Sequence, residues 1–382
     1  MPATVHSLYP TVGDPYLRAV PDTIRTLRTR RGFTLGYLAE QVGKQTPWAS
    51  KIESGRLSLS GELLSQCAAV LNVPAVLLTE VLAPVSTEGL VFRKYNIPRK
   101  VEERLQSEAT VRAHVIDRLL TLTQQEKAPS VPEFNVGVLD SGAPGAAWKL
   151  REFWSIEGAV TDLAGRMEAL GIFITPSPID VDKVSGLTAS SGPDTAPVIL
   201  LNTRLHADTQ RFTLAHELGH LVMDAKSPQL SPKELETRAD QFASELLAPY
   251  GLIRDDVLAL RAGDVRGLLP LQRRWGLHPK AFITSARIHG DLSAETSTIW
   301  FRALNGSFKS LVSSAPSSFP VQPRALGDLI ALLRDNQWYP EAISQFVNVH
   351  TSELIEFTQA ARWPFSTHPV AELKMPQRLS VV

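Results

Sequence analysis

The chain has 382 residues, 43% of them hydrophobic and 20% charged, and its 39 basic and 39 acidic residues cancel to a formal net charge of zero. That length holds two or three domains, and the composition is that of a globular chain with a real core. Cys67 is the only cysteine, which excludes an intrachain disulfide and fits a reducing cytosol. No apolar run is long enough for a membrane span, and Met1-Pro2-Ala3-Thr4-Val5-His6 has no basic-then-apolar leader pattern, so a cytoplasmic protein without a membrane partner is expected. Neutral net charge does not decide for or against nucleic acid, because a local patch is enough.

Residues 15–82 read as an all-helical module. Ile24 and Leu27 start an amphipathic helix that stops near Gly32. Thr34 caps a second helix carrying Leu35, Leu38, Ala39 and Val42, and Gly43 supplies a tight turn. Thr46 and Pro47 start a third helix, and a fourth runs from Ser60 with Leu63, Leu64, Cys67, Ala68 and Leu71 inward. Two helices joined by a short glycine-bearing turn make a helix-turn-helix. Between Pro21 and Arg56, seven basic residues face three acidic ones, a local net of +4. Basic residues beside a recognition helix neutralise phosphates while its start reads bases. Gln45, Thr46, Trp48 and Lys51 are therefore the DNA-contact candidates, and duplex DNA is the expected partner, bound by a homodimer on a palindromic site. The alternative is a helical protein-interaction domain. Cys67 is expected in the core.

These residues resemble the XRE (phage-repressor-like) family. Arg25-x-x-Arg28-x-x-Arg31-Gly32-Phe33-Thr34, Leu38-Ala39, Ser50-Lys51-Ile52-Glu53-x-Gly55, and Leu63, Cys67, Ala68 and Leu71 fall at its places. Leu35 stands where many members carry a backbone-touching Gln.

Residues 83–148 are expected to form a helical linker and loop. Leu90-Val91-Phe92-Arg93-Lys94 follows a Pro- and Ser-containing junction. Arg99 to Gln125 reads as one long helix with Val101, Leu105, Val111, Val115, Leu119 and Leu122 as its buried stripe. It either links the modules or builds a dimer. Lys127 to Trp148, rich in Pro and Gly, reads as loop.

In the expected domain 149–290, residues 151–170 read as helical, and Ile172-Phe173-Ile174 and Val198-Ile199-Leu200-Leu201 as strands. Then comes Arg211-Phe212-Thr213-Leu214-Ala215-His216-Glu217-Leu218-Gly219-His220. Histidines four apart share one helix face and one metal ion, and the carboxylate of Glu217 beside them is placed to take a proton from water. A catalytic zinc site needs a third protein ligand. The helix opened by Ser231, Pro232 and Glu234, a capping box, offers Glu236 as ligand, with Asp240 one turn on to accept the free N–H of a ligating histidine. Glu234 and Glu245 are rival ligands. Zn²⁺ is the expected ion, with Mn²⁺ or Fe²⁺ possible for two His and a carboxylate. His206, just before the metal helix, is a candidate donor to a developing oxyanion. His114, His278, His289, His350 and His368 sit in no ligand spacing.

Pro197 to Asn202, the 211–220 segment, and Glu236-x-x-Ala239-Asp240-x-Phe242-Ala243-x-Glu245-Leu246-Leu247-Ala248-Pro249 resemble the ImmA/IrrE metallopeptidase family over about 150–290, with Ala248 where Met is usual. Gln272 to Ala281 is similar to the helical element that follows. The resemblance implies a narrow protease that cuts a cognate repressor and so switches on stress or mobile-element genes. Residues 291–382, with Leu326, Leu329, Ile330 and Leu333 in helical spacing and two further helices between Trp338 and Leu354, are a helical C-terminal region of unknown role, either a partner-recognition bundle or a cap on the peptidase core. The expected fold class is α+β and mostly helical, with an all-α helix-turn-helix domain and a zincin-like domain built on a small sheet. Two other functions remain open: a transcription factor whose peptidase-like domain senses a ligand or metal, and a toxin–antitoxin or phage-defence component.

Overall fold

The computed structural model describes residues 17–85, 97–125, 130–139, 141–177, 184–192, 194–223 and 230–358. The Leu90-to-Lys94 run and His368 lie outside the described residues. Helices α1 (Pro21–Arg30), α2 (Leu35–Gln41), α3 (Thr46–Glu53) and α4 (Gly61–Leu71) build the N-terminal module. Local chemistry explains their ends. The Thr34 hydroxyl accepts the Tyr37 N–H at 3.1 Å and caps α2. Gly43, at φ +66°, makes the turn into α3, a backbone state that favours glycine.

Helix α5 (Arg99–Thr123) lies at the centre of the molecule. It contacts α1 near its start and a three-stranded sheet further along. Its buried residues, among them Leu105, Ala109, Val111, Val115, Ile116 and Leu119, spread over more than one face, because it is covered on several sides. It packs against both modules and so links them.

The sheet comprises β1 (Phe173–Pro176), β2 (Gly186–Ala189) and β3 (Val198–Leu201) in the order β1-β3-β2. β1 runs parallel to β3, and β2 runs antiparallel to it at the edge. Side chains alternate between its two faces. Phe173, Leu187, Ala189, Val198 and Leu200 join one core with α5 and the N-terminal module, whereas Ile174, Ile199 and Leu201 join a second core. That second core also takes α6 (Gly142–Phe153), α7 (Leu163–Glu168), α8 (Ala207–Met223), α9 (Pro232–Leu247), α10 (Tyr250–Leu258), α11 (Val265–Trp275), α12 (Pro279–Ile288), α13 (Ala294–Asn305) and α14 (Lys309–Ser314).

The tail past residue 290 divides between the layers. Helices α13 and α14 stay with the second core, while α15 (Ala325–Asp335), α16 (Pro340–Val347) and α17 (Thr351–Thr358) pack on the first, against α5 and β1. These last helices therefore cover the sheet face opposite α8 and are not a cap on the helices of the second core. Glu168 marks the crossing: its carboxylate accepts the backbone N–H groups of Arg324 and Ala325 at 2.9 Å and so caps α15.

Two stretches differ from the sequence reading. Residues 142–148, read as loop, begin α6: a Pro in the first turn of a helix is tolerated, and Ala146, Ala147 and Leu150 are buried, with α6 packed on α9. The helix expected over 151–170 is instead the end of α6, a turn region, and the short α7.

A buried ionic junction ties α1, α5 and α17 together. Arg30 Nε donates to Glu108 at 2.6 Å, Arg112 Nε donates to the same carboxylate at 2.7 Å, and Glu353 pairs with Arg30. Both guanidinium groups sit over the Phe357 ring, at 5.4 and 4.4 Å from its centroid.

Candidate metal site and DNA-binding face

Helix α8 is buried on nearly all sides and is fixed by polar contacts. Arg211 donates to the carbonyls of Val160 (2.8 Å) and Gly276 (3.1 Å), and Asp208 accepts from Gln272 and Ser317. Helix α9 starts with the full Ser231–Glu234 capping box and Pro232 in its first turn. The two helices approach closely at Gly219, where a Cβ would lie 3.0 Å from the Phe242 ring and 3.4 Å from the Ala239 backbone. The glycine between the two histidines thus lets α9 bring its carboxylates over α8. A lone Gly in a helical pattern was the available signal, and the sequence reading did not use it.

The geometry joins three ligand-type side chains. His216 Nε2 and His220 Nε2 are 3.2 Å apart, Glu236 Oε1 is 3.2 Å from His220 Nε2, and it is 3.5 Å from His216 Nε2. Donors held at about 2.0–2.1 Å from a tetrahedral zinc ion lie about 3.3 Å from each other, so this triangle fits one ion. Among the described residues it is the only group of three or more His, Cys, Asp or Glu side chains with that closeness. Asp240 Oδ1 lies 2.9 Å from His216 Nδ1. That contact orients the ring so that Nε2 faces the triangle. Burial pushes the His216 imidazolium toward deprotonation, but the hydrogen bonds to Asp240 and Glu236 outweigh it, and the net shift is upward. Burial likewise opposes the charge on Glu236, and the two histidines overcome it, holding the carboxyl at about 2. The three converging groups are two imidazoles and one carboxylate. The donor set therefore fits a divalent ion, and it suits Mn²⁺ or Fe²⁺ as well as Zn²⁺.

Glu217 does not point into open solvent. Its Oε2 accepts the Thr188 hydroxyl at 2.7 Å and the Thr188 backbone N–H at 3.1 Å. Thr188 belongs to β2, a short strand starting with Gly that the sequence reading did not identify. The rival ligands are engaged elsewhere. Glu234 bonds Ser231, while Glu245 accepts the Trp148 indole N–H at 2.9 Å and the Tyr250 N–H at 3.2 Å. His206 has its ring nitrogens at Ala315 O (2.8 Å) and at the Asp208 N–H (3.3 Å), which makes it part of the packing at the start of α8. The other histidines with expected bland roles behave so: His114 pairs with Glu80, His278 caps α12, His289 stacks on Tyr250, and His350 is exposed. Cys67 is buried.

On the N-terminal module, α3 exposes Thr46, Pro47 and Lys51, with Gln45 just ahead of it also exposed. Trp48 is half-buried and packs against the core. The local charge of +4 divides once the fold is known. Arg28 is bound to Glu53 (2.9 Å), Arg30 is buried in the ionic junction, and Arg31 donates to the carbonyls of Leu71 and Asn72 at the end of α4. Lys44, Lys51 and Arg56 remain on the surface around α3, with Arg25 also exposed.

Comparison with known families matches residues 22–81 to a helix-turn-helix domain and residues 167–284 to an IrrE N-terminal-like domain. No curated protein and no solved structure matches the chain. No helix among the described residues is long and apolar enough to cross a membrane.

Proposed function

Since the chain joins a helix-turn-helix DNA-binding domain to an ImmA/IrrE-type, metallopeptidase-like domain, we propose that it is a cytoplasmic transcriptional regulator with zinc-dependent endopeptidase activity, cleaving a cognate repressor to control stress or mobile-element genes. The triangle of His216, His220 and Glu236 beside Glu217 carries this reading. A zinc ion held there supplies Lewis-acid activation of water and of a peptide carbonyl. Asp240 keeps His216 in the tautomer that turns Nε2 inward. Glu217 takes a proton from the attacking water and gives it to the leaving amine as the C–N bond breaks. The exposed start of α3, with Gln45, Thr46 and Lys51, docks in the major groove of duplex DNA.

A second reading has its own support. The N-terminal module and the sheet beside the metal helix both pack on α5, which gives a contiguous packed path between the metal site and the DNA-binding module. The chain is then a metal- or ligand-sensing transcription factor. Incubation of zinc-loaded protein with a candidate cognate repressor, next to the Glu217→Gln variant, separates the two. Cleavage by wild type alone supports the peptidase. A fully loaded wild type that cuts neither that repressor nor its own 75–148 connector leaves the sensor.

A further inference from the structure

The strand β2 presents one edge to β3 and leaves the other open, because it is the last strand of the sheet. Hydrogen-bonded pairs alternate along an antiparallel ladder. Ser185 O takes the Asn202 N–H at 2.9 Å, so the 187 and 189 amides continue that ladder and the Thr188 amide faces the open edge. At that edge it meets Glu217. The Thr188 side chain leaves the strand on the same face as Gly186, where α8 packs so closely that a Cβ at 186 would lie 2.5 Å from Thr213 Cγ2 and 3.7 Å from Glu217 Oε1. Backbone and hydroxyl donors of one residue thus converge on a single oxygen, Oε2, of a carboxylate that is 9% exposed.

A single N–H would satisfy the strand edge. Two donors from one rigid residue fix the carboxylate's plane as well as its position, because a β-branched side chain holds χ1 stiffly. Oxygen Oε2 is occupied, and Oε1 is the oxygen left for proton transfer. We propose that Thr188 is a positioning residue, which fixes the Glu217 carboxylate through Oε2 so that Oε1 takes and returns the proton. This rests on the reading of Glu217 as general base. In that step the water O–H proton passes to Oε1 as the C–O bond forms, and it passes on to the amine nitrogen as the C–N bond breaks.

The test has an arm that does not depend on catalysis. Amide hydrogen exchange across β2 is measured on the full, zinc-loaded chain. The Thr188 amide exchanges slowly in wild type and in Glu217→Gln, which keeps an acceptor oxygen, and quickly in Glu217→Ala. Equal protection in all three chains overturns the contact. The second arm is kinetic. Thr188→Val, which keeps shape and backbone N–H but loses the hydroxyl, lowers kcat on the repressor or connector segment that wild type cuts by roughly ten- to a hundredfold with KM unchanged, as expected when a reacting group is misplaced. Thr188→Ser restores most of it, with zinc content and thermal midpoint unaltered throughout. Wild-type kcat in Thr188→Val overturns the proposal while Glu217→Gln inactivity keeps the peptidase reading. Absence of cleavage by wild type removes the peptidase reading and with it the general-base assignment, and the exchange arm then decides whether Thr188 orients Glu217.

Discussion

The metal triangle and the ionic junction are both clusters of buried charge, on opposite faces of the same sheet, and they balance differently. The junction sets Arg30 and Arg112, with Arg31 at its rim, against Glu108 and Glu353, so cations and anions pair there without any ligand. The triangle sets Glu236 against two imidazoles, a donor set that fits a divalent ion when the imidazoles are neutral. Burial makes both consequential, since an unpaired charge out of water is costly. The junction spends its charge on holding three distant parts of the chain in one geometry. The metal site leaves its charge available for an ion.

The contrast is sharpest if each cluster loses one member. In the metal site, His216→Ala with His220→Ala is expected to abolish stoichiometric zinc binding, read by metal analysis on the purified chain, while the DNA-binding module stays folded. Zinc retained at one per chain would sink the ligand assignment. Chelation of wild type should then lower the thermal midpoint, by the roughly 4 kcal/mol that binding at a thousandfold over Kd contributes, and it should leave the double variant unmoved.

In the junction, Glu108→Gln takes the paired carboxylate from Arg112 and leaves Arg30 with Glu353 alone. Removal of one partner of a buried pair costs about 3–5 kcal/mol, and the denaturant midpoint should fall accordingly. A loss below about 1 kcal/mol would mean that water or Glu353 compensates Arg30 and Arg112, and the junction would not be the fixed counterpart of the metal site.

The junction is also sensitive to pH. Burial opposes the Glu108 charge, but Arg30 and Arg112 outweigh it and hold the carboxyl at about 2. A depressed carboxylate contributes stability that is fully present above its unfolded pKa of about 4.3 and is lost as pH falls toward 2. Wild type should therefore lose more stability than Glu108→Gln across that window in acid titrations followed by circular dichroism. Parallel curves for the two chains would show that the depression is not real.

The smallest expected effect lies on the DNA face. Lys51→Ala should reduce the slope of log K against log salt by about one, the signature of one phosphate contact. Arg28→Ala should leave that slope alone and lower stability, because Arg28 is committed to Glu53. A slope change from Arg28→Ala and none from Lys51→Ala would invert the division of the local positive charge between surface and interior.

The sequence alone determined much of this. His216 and His220 are four apart, so helical periodicity puts them on one face with Glu217 beside them, and the Ser231–Glu234 cap with Glu236 and Asp240 one turn apart announces the second helix. The N-terminal helices were legible for the same reason: their caps, turn glycine and apolar spacing are all local. Where the signal was mixed, the reading failed: Gly and Pro at 142–145 hid the start of α6, and β2, a short strand that opens on Gly, showed too little periodicity to recognise. What only the tertiary structure decided depends on residues far apart in the chain. Thr188 reaches Glu217 across 29 positions, and Arg30 meets Glu108 across 78 with Glu353 closing the junction from the tail. Which arginines lie on the surface and which in the interior, and how far Trp48 is exposed, were set by packing against α3, α4, α5 and α17. Backbone periodicity acts over a few residues, whereas burial and charge pairing act only between surfaces that the completed fold brings together.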